Sequence, residues 1–254
     1  MWYLNAVFGD KDVSAMDLLL LSSSTAGNSG YLQAALPLIQ QQLAGKQRIV
    51  FIPFAGVSLS YDAYVNKVNQ ALGAGGLSCH SIHQSNNYVA ALEQADAIVI
   101  GGGNTFALLH QLYQHDLLTL IREKVAAGCC YTGWSAGSNV AGLTIRTTND
   151  MPIVEPPSLQ ALGLLNCQLN PHYRNENIAG FHGETRDMRL AEFMQLNPTT
   201  PVLALPEGSA LRLRGENLQY LPGAASEPAY LFKAGQKTAL AAHVALPYCQ
   251  NASS

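Results

Sequence analysis

No stretch of this sequence stays apolar for long. Runs such as Leu18–Leu21 end after a few residues, far short of the ~20 that a membrane-spanning helix requires. Charge is also scarce, at 12% of residues, and neither sign dominates: 14 lysines and arginines against 17 aspartates and glutamates leave a net charge of −3. With a pI near 6.1, there is no electrostatic reason to expect nucleic acid or an anionic membrane as partner. Cysteine is limited to Cys79, Cys129, Cys130, Cys167 and Cys249, an odd set with no CxxC pair. Neither a disulfide framework nor a zinc ribbon is indicated, and buried free thiols in a reducing compartment are expected. No HExxH and no His/Asp cluster with ligand spacing occurs, so no metal is expected, and no organic cofactor either. The apolar start, Met1–Phe8, has no basic leader and breaks at Gly9-Asp10-Lys11-Asp12, which points to a cytoplasmic chain. Residues 1–15 are expected to be an N-terminal extension, with residues 16–254 a single domain beginning at Met16.

What the sequence does have is apolar material, at 48% of residues. That is enough for a large core and excludes global disorder. Short apolar runs alternate with helical patterns, as βαβ units with a parallel sheet require. Strands are expected at Leu18–Leu21, Arg48–Pro53, Ser78–Ile82, Ala97–Ile100, Cys129–Thr132, Leu165–Leu169 and Val202–Leu205. Between them, helices are expected over Tyr31–Leu43, Tyr61–Leu72, Tyr88–Ala95, Thr105–His115, Leu117–Ala127 and Thr185–Gln195. From Leu211 to Val244 the pattern is of short antiparallel strands.

Gly133-Trp134-Ser135-Ala136-Gly137 matches G-x-S-x-G between an expected strand and a small-residue helix. A serine on such a tight turn is exposed as a nucleophile, and the flanking glycines let the backbone double back. It needs a base to take its proton. Of the seven histidines, His172 in Asn170-Pro171-His172 follows an expected strand, at the edge where α/β sheets gather their chemistry. His80, His83, His110, His115, His182 and His243 read as structural or surface residues. Two loop-borne acids are candidates to orient the base, Asp150 in Thr147-Thr148-Asn149-Asp150 and Glu207 in Leu205-Pro206-Glu207-Gly208. Gly101-Gly102-Gly103-Asn104 lacks both the GxGxxG spacing and a P-loop Lys-Ser/Thr. Its N–H groups either face a developing oxyanion or form a plain turn into the following helix.

These blocks, with Phe51-Ile52-Pro53-Phe54-Ala55-Gly56-Val57, Thr144–Val154 and Gly183-Glu184-Thr185-Arg186, occur in an order that resembles the peptidase E family of α-aspartyl dipeptidases. The resemblance runs nearly end to end from Met16. It implies a three-layer α/β sandwich with a mostly parallel central sheet, similar to class I glutamine amidotransferases. It also implies hydrolysis of Asp-Xaa dipeptides through an acyl-enzyme on Ser135, with His172 as base. The usual third member matches Asp150, and a glutamate at the position of Glu207 has also been proposed. Gly101, Gly102 and Ala136 would supply the oxyanion hole, and Arg186 would receive the aspartyl side chain. The implied partner is a small peptide, with neither nucleic acid nor membrane and with the oligomeric state open. Related readings are a cyanophycinase-like peptidase on aspartyl polymers and a non-catalytic amidotransferase-like binding domain. An α/β-hydrolase esterase fits less well, because its acid and base normally lie farther from the serine than residues 150 and 172 do from 135.

Overall fold

The structure, a computed structural model, describes residues 14–176, 180, 182–223 and 228–246. The expected N-terminal extension thus lies outside the described residues except for Ser14 and Ala15, as does Cys249. The apolar runs become β1 (Asp17–Leu21), β2 (Ile49–Ile52), β3 (His80–Ser81), β4 (Ala97–Ile100) and β5 (Cys130–Trp134), which are mutually parallel. β6 (Gln168–Asn170) and β7 (Val202–Ala204) belong to a second sheet, whereas β8 (Ala210–Arg214) and β9 (Asn217–Leu221) return antiparallel to the first. The main sheet runs β3-β2-β4-β5-β1-β8-β9. β10 (Tyr230–Lys233) and β11 (Gln236–Ala239) complete a four-stranded sheet in the order β11-β10-β7-β6.

Side chains on successive strand residues point to opposite faces, and the central strands are buried on both. Leu18, Leu20, Val50, Ile52, Ile98 and Ile100 share one core. It takes in α3 (Tyr88–Glu93), α4 (Thr105–Gln114), α5 (Leu117–Ala126) and α6 (Ala136–Asn139) through residues such as Leu92, Leu108, Ile121 and Ala136. Leu19, Leu21, Ile49, Phe51 and Val99 face the other core, filled by α1 (Leu36–Leu43) and α2 (Tyr61–Gly73) through Ile39, Leu43, Val65 and Val68. Burial on both faces is why these strands read as continuous apolar runs rather than alternating ones. The result is the three-layer α/β arrangement with a mostly parallel central sheet.

Two details depart from the periodicity. The helix expected from Tyr31 begins only at Leu36, because Leu32 takes a positive φ of 57° and Pro37 occupies the first turn. The C-terminal strands also divide between two sheets. The smaller sheet builds its own core, in which Leu190 and Met194 of α7 (Arg186–Leu196) pack with Tyr173, Val202, Ala204 and Phe232.

Candidate active site

β1, β4 and β5 end at the same edge of the main sheet and deliver Ser22, Gly101 and Ser135 there. Ser135 sits between β5 and α6 at φ 53°, ψ −113°, a conformation that costs an L-residue energy and persists only when its surroundings impose it. Two glycines impose it here. A Cβ on Gly133 would lie 2.4 Å from the Gly137 carbonyl oxygen, and one on Gly137 would lie 2.1 Å from that of Ile100. Only residues without side chains let α6 fold back this closely onto β4 and β5. The turn is further tied by the Ser135 N–H donating to Leu21 O at 3.1 Å and by the Ser138 hydroxyl, 2.6 Å from that same oxygen.

His172 Nε2 lies 2.8 Å from Ser135 Oγ, and its Nδ1 lies 2.9 Å from Glu207 Oε1. The histidine also has a positive φ, 53°. It is held by its N–H, which donates to Ser22 Oγ at 2.9 Å, while the Ser22 hydroxyl donates to Leu205 O at 2.8 Å. Glu207 stands in a turn whose Gly208 N–H donates to Ser23 Oγ at 2.9 Å. Ser22 and Ser23, read in the sequence only as a polar loop after β1, therefore anchor both the histidine and the glutamate segments. Their signal in the sequence is slight: two hydroxyls at the carboxyl end of a buried parallel strand. Buried Asn170 adds a second tie, donating to Thr147 O and Asn149 Oδ1, both at 2.7 Å, while Asn149 Nδ2 donates to Pro171 O at 2.8 Å.

The expectation that Asp150 partners the histidine is corrected by this geometry. Asp150 Oδ2 accepts from Thr105 N–H at 2.7 Å and from the Thr105 hydroxyl at 2.5 Å, with Thr148 Oγ1 at 3.2 Å. It closes the N-terminal turn of α4 beside Asn104, whose side chain accepts from Ala107 N–H. A carboxylate is stabilised there by free N–H donors and the helix dipole. Gly101 is corrected as an oxyanion donor, since its N–H already donates to Ile52 O at 3.2 Å. Gly102 lies against the serine: a Cβ there would be 3.0 Å from Ser135 Cβ. Ala136 follows the serine as the first residue of α6.

Arg186 opens α7, half-buried, and pairs with neither of its acidic neighbours. Asp187 accepts from the Tyr173 hydroxyl and from Lys237, and Glu184 lies against Arg189. Burial first, and then the adjacent Arg189 charge, hold the Arg186 guanidinium below its usual pKa range.

Ser135 and His172 open onto a cleft of about 360 Å³ whose walls include Gly102, Gly103, Asn104, Tyr64 and Trp134. Tyr64 donates its hydroxyl to Gly102 O at 2.7 Å, which fixes the glycine loop beside the serine. Among the described residues, no group of three His, Cys, Asp or Glu side chains is placed to hold a metal ion. No described helix is long and apolar enough to cross a membrane. A serine hydroxyl, an imidazole and a carboxylate joined in that order form the constellation of a serine hydrolase.

Comparison with known proteins narrows the class. The family model of peptidase family S51 matches residues 18–221. A peptidase E of Shewanella denitrificans is 52% identical over 223 residues, covering 88% of this chain and 94% of its own. A peptidase E of Shewanella oneidensis MR-1 is 54% identical over 217 residues, covering 85% of this chain and 91% of its own. A crystal structure of a protein described as peptidase E from Listeria monocytogenes EGD-e superposes with a TM-score of 0.59. It is 27% identical over 83% of this chain and 99% of that one. The chain belongs to peptidase family S51. It is a peptidase of the serine type, acting as a dipeptidase.

Proposed function

We propose that the enzyme hydrolyses dipeptides with an N-terminal aspartate, through an ester formed on Ser135. His172 Nε2 takes the hydroxyl proton as Oγ attacks the scissile carbonyl, then returns it to the leaving amine. Water, activated by the same imidazole, releases aspartate and frees the serine. Glu207, one of the two acids open for this role in the sequence, holds the Nδ1–H tautomer and stabilises the imidazolium. The N–H groups of Gly102 and Ala136 receive the oxyanion, where a single donor is commonly worth ~10²–10³ in rate. Arg186 receives the aspartyl carboxylate in this reading: it is not among the residues that line the cleft of Ser135, but it is half-buried, has no carboxylate partner among the described residues, and its planar fork matches a carboxylate. The buried thiols of Cys79, Cys129 and Cys130 form no disulfide among the described residues, which supports a cytoplasmic location within this reading.

The observation that carries the reading is the unbroken relay of 2.8 Å from Ser135 Oγ to His172 and 2.9 Å from His172 to Glu207. A serine-directed fluorophosphonate probe should label the wild type and leave Ser135→Ala unlabelled. The same variant should lose turnover of Asp-Leu without losing its fold by circular dichroism. Substantial turnover by Ser135→Ala would overturn the assignment.

A further inference from the structure

The cleft that holds Ser135 carries an unclaimed charge. Among the described residues lining it, Lys67 is the one ammonium or guanidinium, and none is a carboxylate. Lys67 lies one helical turn beyond Tyr64 on α2, and the two share a face because residues three apart are neighbours on a helix. Tyr64 binds Gly102 O, and Lys67 lines the same cleft as the loop proposed to receive the oxyanion. Its Nζ lies 4.3 Å from the centre of the Tyr31 ring. Tyr31 in turn meets Trp134 edge-on, at 6.2 Å and 84°, and Trp134 directly precedes Ser135. The ammonium is therefore held by an aromatic wall that continues into the nucleophile's own strand. It makes no ion pair with a carboxylate of the described residues, since nearby Asp62 is taken by His83 and Gln84. A lone cation in a cleft without counter-charge fits an anionic group on what enters.

We propose that Lys67 receives the free α-carboxylate of the dipeptide and thereby restricts the enzyme to two-residue substrates. The proposal rests on the reading of Ser135 as nucleophile and of Arg186 as the aspartyl receptor. That reading leaves exactly one anionic group of an Asp-Xaa substrate without a partner, the carboxylate one residue beyond the scissile bond. Each added residue would carry that carboxylate up to ~3.5 Å farther away and put a neutral peptide group in its place. A longer peptide thus loses the contact with Lys67.

The test compares Asp-Leu with its C-terminal amide, Asp-Leu-NH₂, which differs only in that charge. The wild type should favour the free acid by about tenfold or more in kcat/KM, mainly through KM, as a charged hydrogen bond supplies. Lys67→Met keeps the stem against Tyr31 but removes the charge, and should bring that ratio to about one. Lys67→Arg should restore a preference for the acid. Calorimetric binding of both compounds in the Ser135→Ala background repeats the comparison without chemistry. There, Lys67→Met should weaken Asp-Leu about tenfold and leave the amide as the weak ligand that it already was. No preference for the acid in the wild type, or an unchanged preference in Lys67→Met by either measurement, overturns the proposal. Failure of the nucleophile reading shows separately, as turnover by Ser135→Ala, while the acid-to-amide ratio still decides the role of Lys67.

Discussion

Glu207→Gln is the substitution whose outcome bears most directly on the proposed relay. Glu207 Oε1 lies 2.9 Å from His172 Nδ1, and the two side chains are 59% and 39% exposed. Once the imidazole takes the serine proton, opposite charges stand ~4 Å apart, worth about 4 kcal/mol at an effective dielectric of ~20 and about 1 kcal/mol in water. The exposure of both partners places the pair between those limits, at about 2–3 kcal/mol. At 1.36 kcal/mol per tenfold, that is a loss of roughly 10² in kcat. The loss stays well short of the ~10⁴ seen where the acid is buried, because water replaces part of the lost carboxylate. Asp150→Asn should behave differently. It weakens the cap on α4 by about 1 kcal/mol, which lowers Tm by about 2–4 °C in a chain of this size. Its kcat on Asp-Leu should stay within about threefold of wild type. Initial-rate kinetics and thermal denaturation of the two variants side by side read both effects. A larger kcat loss in Asp150→Asn than in Glu207→Gln would refute the assignment of Glu207 as the orienting acid.

Arg186→Met should lower kcat/KM for Asp-Leu by about 2–5 kcal/mol of transition-state binding, while Asn-Leu, already poor for the wild type, should suffer far less. Equal losses on both substrates would place the aspartyl receptor elsewhere. Asp96 offers a pH test away from the site: hydrogen bonds from the Arg48 backbone and side chain hold its carboxyl at about 2. Because the folded value lies below the unfolded one, its stabilisation is complete above pH ~5 and is lost as pH falls through about 2. Asp96→Asn should therefore cost about 1 kcal/mol near neutrality, after allowance for the exposed Arg48, and only a small part of that near pH 2. Denaturant titrations at the two pH values would show it, and a pH-independent difference would contradict it.

The central strands were legible before folding because each is buried on both faces, so that nearly every residue of Leu18–Leu21 or Ala97–Ile100 had to be apolar. The serine turn was legible for a related reason. Close approach of α6 to β4 and β5 tolerates only glycine at Gly133 and Gly137, and that demand is written in five consecutive residues. Helix starts were less so: the periodicity of Tyr31–Leu43 continues through Leu32, whose backbone turns the other way.

Sequence by itself determined the layered α/β class, the serine on its turn and the histidine at a strand's end, since each depends on residues close together in the chain. The choice of acid belonged to the tertiary structure. Asp150 and Glu207 are both acidic residues in loops, and nothing local separates them. α4 presents free N–H donors that draw Asp150 away, whereas the Ser23 hydroxyl binds the Glu207 turn across 185 residues and Ser22 binds His172 across 150. Likewise Lys67 is an ordinary exposed lysine on a helix until strand order brings Tyr31, Trp134 and Ser135 beside it. Contacts of that span are set by which strands become neighbours in the sheet, and that order follows from packing two cores at once rather than from any short stretch of residues.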